Sequence, residues 1–440
     1  MTKKLHLLNF LPFLFAAFFA TFATAQPTQR NCGSMDLLDL QLQKSPEMWD
    51  KMEAMERHSA DFLTQLAHLR NAERVITIPV VVHIVYRSQA ENISDAQIQS
   101  QIDVLNRDFR KLNGDATRIP YEFQQLAADC NLQFALAKRT PDGQPTNGIT
   151  RTHTQRPSFA VNDEVKFAKS SGVNAWQSTD YLNIWICNLS GEQVGYSQFP
   201  GGEAATDGVV IDYRCFGTMG AAKAPFHLGR TATHEIGHWL NLRHIWGDME
   251  CGDDRVEDTP QHRVAHFGCH AGAMFNTCKA DGSYTREMPM NFMDYTDDEC
   301  MSMFTKGQKD RMRSMFAAGG FREGILKSKG LQPVETRLNV ATDAQKALLN
   351  GDFLKIFPNP TSYTTTIAFE NDGKGTHDIV ICSLTGEVVQ RMDAVSASFG
   401  KLTETTVSVS ELPSGVYMVM IFYNGQRWQT RKLVIAHQNY

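Results

Sequence analysis

Beyond its first 26 residues the chain has no apolar run long enough to cross a bilayer, so no transmembrane anchor is expected. It carries little net charge, −5 over 440 residues, and no block of basic residues, which argues against nucleic acid as the main partner. Cysteine is sparse and odd in number, so at least one of the nine thiols is unpaired within the chain. Their spacing is not that of a zinc ribbon either. What is present first is a leader. Lys3 and Lys4 give a positive start, Leu11 to Phe22 an apolar run, and Ala23-Thr24-Ala25 a small-residue cleavage site. Polar Gln26 to Arg30 follow at once, so 1–25 reads as a signal peptide that sends the chain into an oxidising compartment where disulfides are permitted. The length leaves room for two or three domains with a full core.

The most informative stretch is His234-Glu235-Ile236-Gly237-His238-Trp239-Leu240-Asn241-Leu242-Arg243-His244. On a helix His234 and His238 lie one turn apart on one face, so both imidazoles can converge on one ion. Glu235 lies beside them, close enough to reach a metal-held water without binding the metal. The third ligand, His244, requires the chain to leave the helix in a sharp turn, and Asn241 stands where that turn is needed, since Asn tolerates positive φ. The pattern describes a catalytic zinc with three protein ligands and an open fourth position. A core helix with surface histidines has no need of Glu235, and a purely structural zinc calls for a fourth ligand. The rival function class is a surface adhesion or binding protein whose metal site is structural. Further on, the segment from Gly252 to Pro260 crowds carboxylates into a short turn, and hard oxygen donors grouped this way suit calcium.

Downstream lies Asn291-Phe292-Met293-Asp294-Tyr295-Thr296-Asp297-Asp298-Glu299-Cys300. Together the words HEIGHWLNLRHIWGD and NFMDYTDDECMSMFTKGQKDRM resemble the pappalysin family of metzincin zinc metalloproteases, over roughly Val75 to Leu326. Asn241 departs from the commoner metzincin glycine, a change the family tolerates. The resemblance implies a secreted, zinc-dependent endopeptidase made as a zymogen and acting on protein and peptide substrates. Met293 would form the apolar floor under the ligands, and Tyr295 would donate a hydrogen bond to the tetrahedral oxyanion. It also implies disulfides Cys251–Cys278 and Cys269–Cys300, and structural calcium at Asp254 and Thr259, with Asp258 as a further candidate. Glu299 principally, with Asp298 beside it, would select Arg or Lys just after the cleaved bond. In Arg30-Asn31-Cys32-Gly33, Cys32 would act as a cysteine switch, its soft thiolate taking the open position on zinc. Self-processing before Arg70 or Arg74 would then release the pro-segment.

Periodicity supplies the frame. Ser45 to Leu66 reads as an amphipathic helix of the pro-segment, and Arg74 to Tyr86 as a β-rich run. Ser94 to Leu112 reads as a helix capped by Ser94, with strands at Leu132–Ala137, Tyr181–Leu189 and Gly208–Tyr213. His83, His153 and His227 read as ordinary strand or loop residues, and a Cys187–Cys215 disulfide is left open. After a linker come Ile356-Phe357-Pro358-Asn359-Pro360-Thr361 and alternating strands at Thr364–Phe369, His377–Cys382, Thr405–Val409 and Tyr417–Tyr423, closed by Arg431 to Ile435. These phrases resemble the C-terminal sorting domain of type IX secretion cargo from Bacteroidetes, an immunoglobulin-like β-sandwich. That implies the type IX machinery as a partner and export through the periplasm and outer membrane of a Gram-negative cell, to the medium or the cell surface. The expected fold class is α+β: an α/β metzincin-type upper subdomain, a loop-rich, disulfide-bonded lower subdomain, and a C-terminal Ig-like all-β sandwich. The expected divisions are 1–25 signal, 26–73 pro-segment, 74–326 catalytic domain, 327–352 linker and 353–440 sorting domain.

Overall fold

The structure, a computed structural model, describes residues 28–65, 74–270, 272–334, 354–370, 376–396, 402–423 and 426–437. The signal segment, Leu66, Arg70 and most of the expected linker lie outside the described residues. The chain forms two compact units, one ending at Val334 and the other beginning at Glu335.

In the first unit, helices α1 (Ser34–Lys44) and α2 (Glu47–Gln65) precede the central strand β1 (Ile76–Tyr86). β1 is buried continuously from Ile78 to Val85, as a strand covered on both faces must be. Beside it run β2 (Leu132–Leu136), β3 (Ile149–His153) and β4 (Leu182–Cys187), all parallel; β6 (Val209–Asp212) lies parallel to β4, with the short β5 (Gly195–Ser197) antiparallel at the edge of β6. β2 pairs with the first half of β1 and β3 with the second. The pleat sorts the side chains. Ile78, Val80, Val82 and Ile84 enter a core with Ile98, Ile102 and Leu105 of α3 (Asp95–Asp108), whereas Val85 packs with Leu37, Trp185 and Tyr196 on the other face.

Ser94 caps α3 as expected, its hydroxyl accepting from Gln97 N at 3.1 Å. The helix stops at Asp108, four residues short of the expected Leu112, because Lys111 turns to φ +49°. Leu112 then lies exposed, so its apolar side chain was a false signal of continuation. A four-residue α4 (Tyr121–Gln124) follows. Next in order are α5 (Arg230–Trp239), the hairpin of β7 (Phe275–Asn276) and β8 (Thr285–Arg286), and α6 (Lys306–Ser314). Disulfides Cys251–Cys278 and Cys269–Cys300 cross-link the loop-rich stretch between α5 and α6. Cys187 and Cys215 are separate buried thiols.

Among the described residues of the second unit, the strands pair antiparallel. Strands β9 (Leu354–Phe357), β10 (Thr364–Glu370) and β13 (Leu402–Ser408) form one sheet. Strands β11 (Thr376–Ser383), β12 (Val388–Ser396), β14 (Gly415–Tyr423) and β15 (Gln426–Ile435) form the other. Alternate residues, among them Ile367, Phe369, Ile379, Ile381, Val419, Ile421 and Leu433, make one core.

Candidate active site

α5 is short and wholly buried, and it places His234 and His238 one turn apart with Glu235 between them. The chain leaves the helix through Asn241 at φ +73°, the conformation its side chain tolerates. Arg311 of α6 fixes that turn by donating from Nε to Asn241 O at 2.7 Å. The return brings His244 Nε2 to 3.1 Å from His238 Nε2, which is itself 3.1 Å from His234 Nε2.

The proton positions decide what this cluster can do. His234 Nδ1 faces Phe292 O at 2.7 Å and His238 Nδ1 faces Leu242 O at 2.8 Å. Carbonyls only accept, so both rings carry their proton on Nδ1 and present bare Nε2 lone pairs to each other. His244 Nδ1 is likewise held by the Asp248 carboxylate. Lone pairs crowded at this separation repel unless a cation lies among them, and the three nitrogens suit the roughly 2.0–2.1 Å bonds of zinc. Burial, the main influence, keeps His234 well below the ordinary imidazole range and holds His238 down at about 3, so both are neutral as ligands must be.

Met293 lies under this helix. A β-carbon added at Gly237 would run into Met293 Sδ, so the glycine inside the motif is what lets the methionine approach. Tyr295 packs its ring against His234, His244 and Trp246.

The residues before α1 cross the site. Cys32 pairs with Gly195 of the edge strand β5, with Gly33 N donating to Gly195 O at 2.9 Å and Val194 N to Asn31 O at 3.0 Å. This brings Cys32 Sγ into one ligand-sized group with the three histidines. The thiol also lies 3.4 Å from Glu235 Oε2, which accepts from Ser34 Oγ at 2.9 Å. Burial raises Glu235 to about 7 despite those two donors. The Tyr295 hydroxyl donates to Cys32 O at 3.3 Å.

Two residues earlier, Arg30 fills a closed pocket. Its Nη2 meets Asp298 Oδ1 at 2.6 Å, Nη1 donates to Thr231 Oγ1 at 3.1 Å and Nε to Thr296 O at 3.2 Å, while the guanidinium lies over the Phe226 ring. The other Asp298 oxygen accepts from Leu228 N and Arg230 N, which pins the carboxylate in place. Glu299, the acid given first place on sequence grounds, is exposed and lies beside the Cys269–Cys300 disulfide instead. A single 3-10 turn at 298–300 sends the two neighbours in opposite directions. The carboxylate that meets the Arg30 guanidinium is Asp298.

The carboxylate-rich turn differs from expectation too. Asp258 accepts from Thr305 Oγ1 at 2.6 Å and Gly307 N at 2.9 Å, so it satisfies the amino end of α6 rather than joining a cation shell. Asp254 is buried and bonded to Thr259 Oγ1 at 2.8 Å. Among the described residues, the groups of three or more side chains able to hold a metal do not include this turn. They do include His262, His266 and Asp294, but Met288 N donates to His262 Nε2 at 2.8 Å, leaving that ring's proton on Nδ1 facing Asp294. A cation there would meet the proton, so this group does not fit a metal.

Sequence reasoning missed Arg30, Ser34 and Asp248. Arg30 had a signal, since it lies two residues before the singled-out Cys32. Asp248 had a weaker one, an acid four residues after a proposed ligand.

Residues 167–317 match the family model described as pregnancy-associated plasma protein-A, a peptidase family, and 355–436 match that of the secretion system C-terminal sorting domain. An extracellular metalloprotease of Pyricularia oryzae is 32% identical over 57% of this chain and 78% of its own length. Extracellular metalloprotease 1 of Coccidioides posadasii is 29% identical over 70% of this chain and 96% of its own. Among solved structures, Tannerella forsythia mature mirolysin in complex with a cleaved peptide is 50% identical, with TM-score 0.55, covering 57% of this chain and 96% of that one. A mutant of Tannerella forsythia promirolysin is 44% identical, with TM-score 0.59, over 68% and 97%.

Proposed function

The chain belongs to the pappalysin family of metalloproteases and ends in a type IX secretion sorting domain, and from that premise we propose how this secreted metalloendopeptidase works. Three imidazoles, of His234, His238 and His244, hold zinc. When bound, zinc supplies Lewis acidity, polarising the scissile carbonyl and lowering the pKa of water. Glu235 is the general base: its carboxylate takes the proton from the attacking water and returns it to the leaving amine. The Tyr295 hydroxyl donates to the oxygen on which negative charge develops. Asp298, at the floor of the pocket filled by Arg30, gives a preference for Arg, and secondarily Lys, after the cleaved bond. A guanidinium pairs with a pinned carboxylate better than an ammonium does.

The single observation that carries this reading is the convergence of three Nε2 lone pairs beside the buried Glu235 carboxylate. Latency is supported by the same geometry, since Cys32, Ser34 and Arg30 engage the metal cluster, the base and the pocket together. The leader would carry the chain to the periplasm and the tail across the outer membrane. The two antiparallel sheets of the tail support an Ig-like sandwich.

Incubating the activated protein with a peptide library tests the mechanism. Glu235→Ala is expected to lower kcat by about 1,000-fold while leaving one zinc per chain by metal analysis. Unchanged turnover in that variant refutes the assignment, and a chelator-insensitive cleavage removes the zinc. An adhesion protein with a structural metal would cleave nothing in either form.

A further inference from the structure

Among the buried ionic networks that the mechanism leaves unused, one adjoins the oxyanion donor in the chain. His266 Nδ1 lies 2.7 Å from Asp294 Oδ2, and its Nε2 lies 2.7 Å from Glu287 Oε2. Asp294 is fully buried between Met293 and Tyr295 in the chain. Its second oxygen, Oδ1, accepts from two main-chain donors, His266 N at 2.9 Å and Tyr295 N at 2.8 Å. Glu287 is anchored in turn, Oε1 accepting from Arg263 N and Asn276 Nδ2, each at 2.7 Å. An imidazole with a carboxylate on each nitrogen donates from both only when protonated. Burial alone would lower His266, but Asp294 and Glu287 outweigh it and raise it. The segment carrying His266 then runs along the turn: Gly268 bridges to Thr296, and Cys269 is disulfide-bonded to Cys300.

We infer that His266, bridging Asp294 and Glu287, is a positioning residue that fixes the Tyr295 main chain and so aims its hydroxyl at the developing oxyanion. The inference rests on the role proposed for Tyr295. Tyr295 has one hydrogen-bonding group at its tip and hangs from a turn rather than a helix; its ring packs against His234, His244 and Trp246, and its main-chain N–H on a rigid carboxylate fixes where that ring starts. Without the imidazole Asp294 would keep its two main-chain donors on Oδ1 but lose the close partner of its outer oxygen, Oδ2. His262 restrains it less, at 3.4 Å from the same oxygen. Holding a donor at the geometry of the transition state accelerates the chemical step without tightening ground-state binding.

A double-mutant cycle on protein expressed as the full chain and then activated by removal of the pro-segment tests this. Tyr295→Phe is expected to lower kcat about 100-fold and His266→Gln about 10-fold. KM should stay within about twofold in both. In the Tyr295→Phe background, His266→Gln should cost less than about twofold, because there is no hydroxyl left to aim. Glu287→Gln, which keeps the shape of its side chain, should reproduce a weaker form of the same pattern and serves where His266→Gln does not fold. If the His266 effect is as large with Phe at 295 as with Tyr, or appears in KM or in zinc content, the positioning role is overturned. If Tyr295→Phe alone leaves kcat unchanged, the role of Tyr295 falls, and this inference with it.

Discussion

Asp298 and Glu299 share a sequence neighbourhood and differ in everything that matters for recognition. One is buried with its oxygens pinned and a guanidinium against it; the other is exposed. A charge pair out of water loses its partner at high cost, whereas a surface acid contributes little. Asp298→Asn is therefore expected to lower kcat/KM for peptides with Arg after the cut by about 100-fold or more. Glu299→Gln should change it by less than about twofold. Kinetics on matched Arg and Ala peptides checks both, and a dominant Glu299 effect would reverse the assignment. Three successive acids offer no periodicity, so the resemblance marked the neighbourhood and put Glu299 first, whereas only the fold shows that Asp298 meets the Arg30 guanidinium.

At the scale of elements, α5 and β1 show how tightly the site depends on packing. In an open helix Gly237→Ala would gain about 1 kcal/mol of propensity. Here the added methyl meets Met293 Sδ, and overpacking of this kind costs about 1–3 kcal/mol. The overpacking term wins. The variant is expected to lose about 1 kcal/mol or more, read as a lower denaturation midpoint, and to lose activity as the floor shifts. In β1, His83 lies buried between Thr150 and Asn183, its ring held down to about 4 by burial. Its neutral form is fully stabilising above the unfolded value of about 6.5. As pH falls from there through about 4, the unfolded chain takes up a proton that the folded chain refuses, and stability is lost. The loss attributable to this ring is about 3 kcal/mol by linkage. Denaturant midpoints at pH 7 and pH 4.5 should differ less in His83→Gln than in the unaltered protein; an equal difference would refute the account. Reading His83 as an ordinary strand residue agrees with its hydrogen bonds, which leave no ring nitrogen for a metal.

At the scale of the whole molecule, the first unit covers its own metal cluster with its amino-terminal residues. Residues 30–34 cross the site, and Glu56 of α2 pairs with Arg311, the residue that fixes the Asn241 turn. A tethered group acts at high effective concentration, so removing one anchor weakens occupancy by a large factor. Full-length Cys32→Ala is expected to hydrolyse a reporter peptide at an initial rate about tenfold or more above the unprocessed parent. Progress curves with no lag would show it, and a variant as silent as the parent would argue that Cys32 does not hold the latent state. The sorting unit has a core of its own, built from alternating residues of its strands.

The sequence determined what could be encoded in local spacing. A helical repeat of four placed two histidines on one face, Asn241 set the exit turn, and short apolar or alternating runs marked β1, β2, β4, β6, β10, β11, β13 and β14, though not β3 or β12. Strand β5 left no such trace, because three residues including glycine carry too little pattern. Only the tertiary structure decided which distant groups meet: Arg30 with Asp298, Asp258 with the start of α6, His266 with Asp294 and Glu287. These contacts join segments far apart in the chain, and their energies depend on burial and direction, quantities that a linear order of residues does not contain.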